Sequence, residues 1–453
     1  MAEKVKTTSY FDGYKLGKRQ KFFMVIAGLT YAFDLMDVSI FSIVAPILQA
    51  NYGITNEKLA SLNFLFFIGA FLGSTLGGYI ADKVGRKKAM LLNIMVFSLA
   101  SLANALWQPS HFMVLELSRF FTGFGTMAAV AVAITYISEM LPSEKRGKYQ
   151  SMVLGLGTFS IPFIAVVASG IATQGAESWR IVLGIGALML VLVPFAMLFL
   201  VESPRWLISK GRLDDAEKTL EKCLGFACDL SEAQIIYQRS VANYHKISFF
   251  AQMKIIFSKA QIKQTLVCVA FAWFLGCGNN LLSSYNNAFL VQIGFPLQMV
   301  LLVGAIAAFG QPIGELLSAL VTDKGGRTKP MAIYCICAAA LFVAIGFVKD
   351  VVTWGILNFI KTLFTAGTIA MLMTYLPESF PTSVRGSATG YVYGTQRIVL
   401  AFVSSLFPVM IFTNFGWLGV NIFNGAFFLI AGLLILIFGK PTAMKSIDFI
   451  EEE

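Results

Sequence analysis

Charge and histidine are what this sequence has least of. Only 13% of its 453 residues are Asp, Glu, Lys or Arg, while 57% are hydrophobic; an ordinary soluble domain is about 25% charged. The only histidines are His111 and His245, with no nucleophile or metal constellation around them, which argues against an enzyme. The phosphate-cradling G-x-x-x-x-G-K-[ST] loop is missing, which disfavours a pump driven by ATP. No channel-type filter sequence is present either. Cysteine is sparse as well. Cys268, Cys277, Cys335 and Cys337 lie in apolar stretches, and Cys223 and Cys228 in a polar link, where "CLGFAC" lacks a second ligand pair. Neither disulfides nor a metal site is expected, and no cofactor is implied.

What is abundant is apolar sequence. Ile181 through Val201 runs without a charge, and about 20 apolar residues suffice to cross a bilayer as helix. Twelve candidate spans follow, near 22–48, 60–81, 88–107, 112–138, 151–173, 179–201, 263–290, 298–321, 330–348, 352–375, 387–411 and 416–438. The expected fold is an all-α, polytopic membrane protein, and the first span is too long for a cleaved leader.

The net charge of +10 invites a nucleic-acid reading, which the placement of the charges rejects. With alternating links, Lys and Arg concentrate on the side that holds both termini. The opposite side has only Lys58, Arg180 and Lys349, while Arg119, Lys361 and Arg397 fall within spans. That is the positive-inside pattern, so both termini are expected in the cytoplasm.

Two motifs recur at an offset of about 240 residues. "EMLPSEKRG" (139–147) pairs with "ESFPTSVRG" (378–386), and "ADKVGRKK" (81–88) with "TDKGGRTK" (322–329). Each copy takes the same place among the spans. The chain therefore reads as a tail (1–21), a six-helix half (22–201), a helical linker (202–262), a second six-helix half (263–439) and a tail (440–453). Such duplication is a transporter layout, with the site between the repeats. In the linker, Ser203 is placed to cap a helix with Pro204 in its first turn and Gly211 as its stop. Leu213, Ala216, Leu220 and Leu224 then repeat at helical spacing up to Gly225.

With these motifs the chain resembles the major facilitator superfamily over essentially its whole length. Gly78, Asp82, Gly85 and Arg86 match its loop 2–3 motif; Asp323 and Arg327 form the fainter copy, with Ala319 where the family often has Gly. The resemblance implies that these groups, with Glu139, Arg146, Glu378 and Arg385, govern gating. Gly85 would give the turn its backbone freedom. "LELSRFFTGFG" (115–125) resembles the fourth-span motif, where Gly123 and Gly125 allow close helix approach. Arg119 in mid-bilayer needs an anion, and Asp34 and Asp37, on one face of the first span, are the natural candidates. A carboxylate's pKa rises when it is buried alone and falls beside Arg⁺. Making and breaking that contact would carry a proton, with Asp37 the preferred carrier; a permanent ion pair is the alternative.

"VESPRWL" (201–207) resembles sugar porters and organic-ion transporters, yet Phe274 and Leu275 stand where sugar porters carry a glutamine pair. "DLMDVSIFSIVAPIL" (34–48) and "GTQRI" (394–398) are similar to the aromatic acid:proton symporters and nicotinate-type permeases. "DGY" at 12–14 lies in the polar tail and is unrelated to that motif. Arg397 and Lys361 want a negative partner, which favours an anionic substrate; pairing with Glu315 is the alternative. Asn279, Asn280, Tyr285, Gln311, Gln396 and Arg397 are the candidate substrate contacts, with Ser283, Ser284, Asn286 and Asn287 in the same polar stretch of span 7. The expected function is proton-coupled import of a small organic acid by a monomer in the cell membrane. A sugar or polyol symporter, an organic-cation transporter, and a non-transporting sensor are the competing readings. A drug:proton antiporter is disfavoured, because "GLGTFSIPFIAVVASG" (155–170) only faintly echoes its span 5 motif. The expected partners are the small-molecule substrate, protons and the bilayer, and not nucleic acid.

Overall fold

The computed structural model describes residues 5–6, 11, 14–141, 146–172, 174–175, 177–231, 249–321, 327–380 and 384–442, without the side chains of 5–6, 138, 146–156, 172, 249–252, 319, 385–387 and 406. The helices are α1 (Lys18–Tyr52), α2 (Asn56–Val84), α3 (Arg86–Leu106), α4 (Phe112–Met140), α5 (Arg146–Ala172) and α6 (Trp179–Phe199), then α7 (Pro204–Ser209), α8 (Leu213–Leu224) and α9 (Phe249–Ile256). They continue with α10 (Ile262–Asn280), α11 (Asn286–Gln292), α12 (Leu297–Ala307), α13 (Gly310–Ala319), α14 (Thr328–Gly346), α15 (Val351–Glu378), α16 (Arg385–Val403) and α17 (Leu406–Phe438). A two-residue parallel pairing, β1 (Val5–Lys6) with β2 (Cys228–Asp229), is a feature that the helical expectation did not contain.

Among the described residues, 9 helices are long and apolar enough to cross a membrane. The other expected spans occur interrupted or only partly described. Span 151–173 lies in α5, span 263–290 is split into α10 and α11, and span 387–411 is α16 plus the start of α17. The chain then turns at Gly416, with φ at 64°, before the last span. Serines sit at both interruptions, 281–285 and 404–405, and their hydroxyls compete for backbone groups.

Compactness divides the chain into two units. The first comprises Met1–Leu35, Gly69–Thr158 and Gly184–Ile247. Phe23, Phe97, Tyr136, Trp206 and Leu220 belong to its buried core. Within it α2 lies directly on α4. A Cβ on Gly69, Gly73 or Gly77 would come within 3.0 Å of the backbone of Phe120, Phe124 or Ala128. Gly125 packs as closely on α3 at Phe97, the close approach its motif predicts. The linker helices form as their spacing indicates: Ser203 accepts a hydrogen bond from Trp206 N–H at 3.3 Å, and Gly225 closes α8 at φ 88°.

The second unit comprises Met36–Ile68, Phe159–Leu183 and Ser248–Glu453. Its main core runs through α9, α10, α14, α15, α16 and α17, from Ile256 to Ile435. Gly310 and Gly314 of α13 take the same close approach to α15, at the Phe359 and Leu363 carbonyls. A second cluster joins Phe66 and Phe67 of α2 to Cys277, Leu400 and Ala401, with Val38 packed against it. Thus the later part of α1 and the first part of α2 pack with helices of the second sequence repeat.

Candidate functional site

At the α2–α3 turn the loop motif assembles into a charge cluster. Gly85 has φ 101°, a conformation open to glycine, and a Cβ there would meet the Glu202 carboxylate. The turn aims Arg86 at two carboxylates. Its Nη1 donates to Asp82 Oδ1 at 2.7 Å, and its Nε and Nη2 fork onto Glu139 Oε2 and Oε1 at 3.0 and 2.9 Å. The Arg86 and Glu139 side chains are only 10% and 12% exposed, so this is a charge-assisted, two-pronged bond away from solvent. Glu202 completes the turn: its Oε1 accepts from the backbone N–H of Arg86, Lys87 and Ser203 at 2.7, 3.1 and 3.0 Å. Burial raises its pKa, and those N–H bonds pull part of the way back. Trp206 Nε1 donates to the Asp82 carbonyl at 3.0 Å. The sequence reading quoted Glu202 and Trp206 in a family stretch without giving them this task. A carboxylate followed by S-P beyond a membrane span was the available clue.

The second repeat makes the equivalent contact. Arg327 Nη2 donates to Glu378 Oε1 at 2.8 Å. Arg86 and Arg327 are equivalent in the repeat, and so are Glu139 and Glu378; the same residues therefore pair in each copy. Arg327 has φ 66° at the start of α14, the one non-glycine described at positive φ. A Cβ on Gly78 would meet nothing within 4 Å, so its smallness is not spent on packing. Asp323 and the side chains of Arg146, Arg385 and Ala319 lie outside the described residues, as do Asp12, Gly13 and His245.

Deeper along the helices, Asp34 is 4% exposed, Asp37 5% and Arg119 1%. All three charges are thus taken out of water, where an unpaired ion is costly. Behind Arg119 on α4, Ser118 donates to Asn104 Oδ1 at 2.6 Å and Asn104 Nδ2 to Thr122 Oγ1 at 3.1 Å, which fixes α4 to α3.

The polar stretch of span 7 is largely committed to backbone. Tyr285, fully buried, donates to the Ser405 carbonyl at 3.1 Å; Asn280 Nδ2 donates to Gly276 at 3.0 Å. Gln396 Nε2 donates to the Ala272 carbonyl at 2.6 Å. Asn279 is exposed and Gln311 half-buried. Asn287 Nδ2 reaches the Ser42 carbonyl at 3.3 Å, and Ser284 O–H reaches Asn63 Oδ1 at 2.9 Å. Asn63 Nδ2 in turn donates to the Ser404 carbonyl at 2.9 Å. At the tip of α11, Gln292 Nε2 meets Gln49 and Asn56 at 3.4 and 3.3 Å. Asn63 was not singled out from sequence; a lone Asn in an apolar span was its trace. Lys361 Nζ stands 5.0 Å from the Phe342 ring centroid. Arg397 is half-buried on α16, with no ion pair or hydrogen bond described for it.

Helices long and apolar enough to cross a membrane, with the Arg86–Glu139 contact repeated as Arg327–Glu378, fit a multi-pass transporter of the major facilitator superfamily, which the family match establishes. Its fold matches the xylose transporter XylE from E. coli in an inward-open conformation, with a TM-score of 0.76 over 96% of this chain and 99% of that one, at 20% identity. The chain belongs to the sugar (and other) transporter family, whose model matches residues 22–453. A putative metabolite transport protein of Bacillus subtilis, YyaJ, is 31% identical over 93% of this chain and 92% of its own. The niacin transporter NiaP of Acinetobacter baylyi is 24% identical over 98% and 99%, and the arabinose-proton symporter of Bacillus subtilis 24% identical over 94% and 92%.

Proposed function

We propose that this transporter imports a small organic acid together with a proton, by alternating access. The carrying observation is Arg397: a guanidinium within a membrane-spanning helix, half-buried, with no anion described beside it. A cation in that setting calls for a negative partner, and Arg grips a carboxylate with two parallel bonds. The niacin transporter among the relatives is consistent with an acid. Proton coupling falls to Asp34, Asp37 and Arg119, with Asp37 as the carrier. The arginine–carboxylate contacts, Arg86 with Glu139 and Arg327 with Glu378, brace the cytoplasmic end in each repeat. The hydrogen bonds from α11 to α1 and α2 hold the extracellular end closed. The protein works as a monomer in the cell membrane, with both termini in the cytoplasm. Sugar:proton symport is the second reading, favoured by the family match and the arabinose-proton relative.

Electrogenicity separates the two. A proton-motive force of about 150 mV supplies roughly 3.5 kcal/mol per proton. A monoanion moving with one proton carries no net charge, so only the pH gradient counts; a neutral sugar uses the whole potential. In proteoliposomes, a pH gradient alone should drive carboxylate uptake and a valinomycin potential alone should not. Uptake of sugars driven by potential alone would overturn the acid reading. Asp37→Asn should abolish accumulation while leaving exchange of labelled for unlabelled solute.

A further inference from the structure

The last carbonyls of an α-helix have no partner within the helix, and helix ends fray. Glu139, whose carboxylate grips Arg86, sits in the last turn of α4. The carbonyl of the next residue, Met140, is taken by Gln20, whose Nε2 donates to it at 2.7 Å. Gln20 is only 1% exposed, and its Oε1 accepts from the Gly17 N–H at 2.9 Å. Its neighbour Arg19 serves α6 in the same way, Nη1 donating to the Phe199 carbonyl at 3.1 Å. The tail ahead of these two residues is fastened to the linker. Its strand β1 pairs with β2, Phe11 lies in one buried core with Leu220 and Cys223, and the Tyr14 ring stands 5.3 Å from that of Phe226. A Cβ on Gly17 would strike the Cys223 carbonyl. The second repeat finishes its helix differently. Glu378 ends α15, and the following Ser379 bonds the Tyr375 carbonyl with both its N–H, at 3.1 Å, and its hydroxyl, at 2.8 Å. The side chain that finishes α15 is its own, whereas α4 borrows one from the start of the chain.

We infer that Gln20 is a positioning residue for the Arg86–Glu139 contact, and that the amino-terminal tail is the strap that keeps Gln20 in place. This rests on the bracing role given to that contact and is independent of the solute. A two-pronged bond demands both distance and angle, so a loosened last turn of α4 costs the fork first. The strap also closes a ring around the turn at Gly85. The tail holds the linker, the linker holds the Arg86 and Lys87 N–H groups through Glu202, and Gln20 holds the helix that carries Glu139. Releasing the tail loosens the first repeat's contact and leaves Arg327–Glu378 as it was.

Hydrogen exchange of the purified full-length transporter tests this, because local opening is what exchange reads. Gln20→Met keeps the side-chain length and removes both bonds. Amides in 82–90 should exchange about fivefold faster, the effect of one lost hydrogen bond, while 327–335 keeps its wild-type rate. In an Arg86→Lys background, where the fork is already gone, Gln20→Met should add nothing at 82–90. Equal acceleration in both backgrounds would overturn the proposal, since Gln20 would then act independently of the contact. Faster exchange at 14–24 with 82–90 unchanged would overturn it too, as would equal acceleration at 82–90 and 327–335. Should Gln20→Met fail to fold, Tyr14→Ala, at a half-buried ring, should give the same pattern more weakly. If Arg86→Lys alone leaves 82–90 at its wild-type rate, the bracing role falls together with the strap.

Discussion

Arg86 shows how much one side chain can hold. Three of its donors engage two carboxylates, and the Glu139 fork is largely out of solvent. Removing one member leaves the other as an uncompensated charge, at a cost of about 3 kcal/mol. Arg86→Ala should therefore lower the melting temperature clearly, whereas Arg86→Lys, which keeps the charge and loses the fork, should recover only part of it. Glu202 yields a pH prediction. Its folded pKa is raised by burial above the ordinary 4.5. Between those two values the folded protein holds a proton that the unfolded chain has lost, so stability falls as pH rises through that window. Glu202→Gln should remove that slope, which melting curves from pH 4.5 upward would reveal. The arginines and their carboxylates were legible because charged motifs recur at one offset. The backbone bonds of Tyr285, Asn280 and Gln396 were not, because sequence reports a polar group and not the carbonyl it finds.

At the scale of the helix, small residues decide how near two backbones come. Gly73 of α2 and Gly78 five residues on look alike in sequence, yet a Cβ meets the Phe124 backbone at the first and nothing within 4 Å at the second. Gly73→Val should cost about 1–3 kcal/mol or prevent folding, as overpacking does. Gly78→Ala should leave the melting temperature and the yield nearly unchanged. Measuring both separates packing from any role in gating: lost transport in a well-folded Gly78→Ala places Gly78 in the switch. The Gly69, Gly73 and Gly77 spacing was visible in the sequence, although the twin glycines at 123 and 125 drew the close-packing expectation. The breaks at 281–285 and 404–405 were not visible, since neither contains the Pro or Gly that usually marks one. They are tolerated because the freed carbonyls of Ser404 and Ser405 accept bonds from Asn63 and Tyr285, as backbone inside a bilayer requires.

For the molecule as a whole, the two kinds of contact differ in chemistry. The arginine–carboxylate contacts are ionic, whereas the contacts from Ser284 and α11 to α1 and α2 are neutral amide and hydroxyl bonds. Neutral bonds, each worth about 0.5–1.5 kcal/mol, can be made and broken once per transport cycle. Asn63→Ala removes two neutral bonds, those tying α2 to the Ser284 hydroxyl and to the Ser404 carbonyl, so it should loosen the hold of α2 on the helices of the second repeat. Uptake at saturating solute should slow, and exposure of residues in α11 to a water-soluble probe should rise. The number and order of spans and the repeat could be read from hydropathy and motif offset. Which parts of α1 and α2 pack with the second repeat could not, because that depends on the conformation adopted and not on the sequence of any single helix.

Cys277 lies in the buried cluster with Phe66, Phe67, Leu400 and Ala401, and is 3% exposed. Its thiol is shielded only while those aromatic rings stay packed. It is thus a native clock for the transport cycle. The rate at which a membrane-impermeant maleimide alkylates it, after the other cysteines are replaced, counts how often that cluster comes apart, with no cysteine introduced and no substrate known.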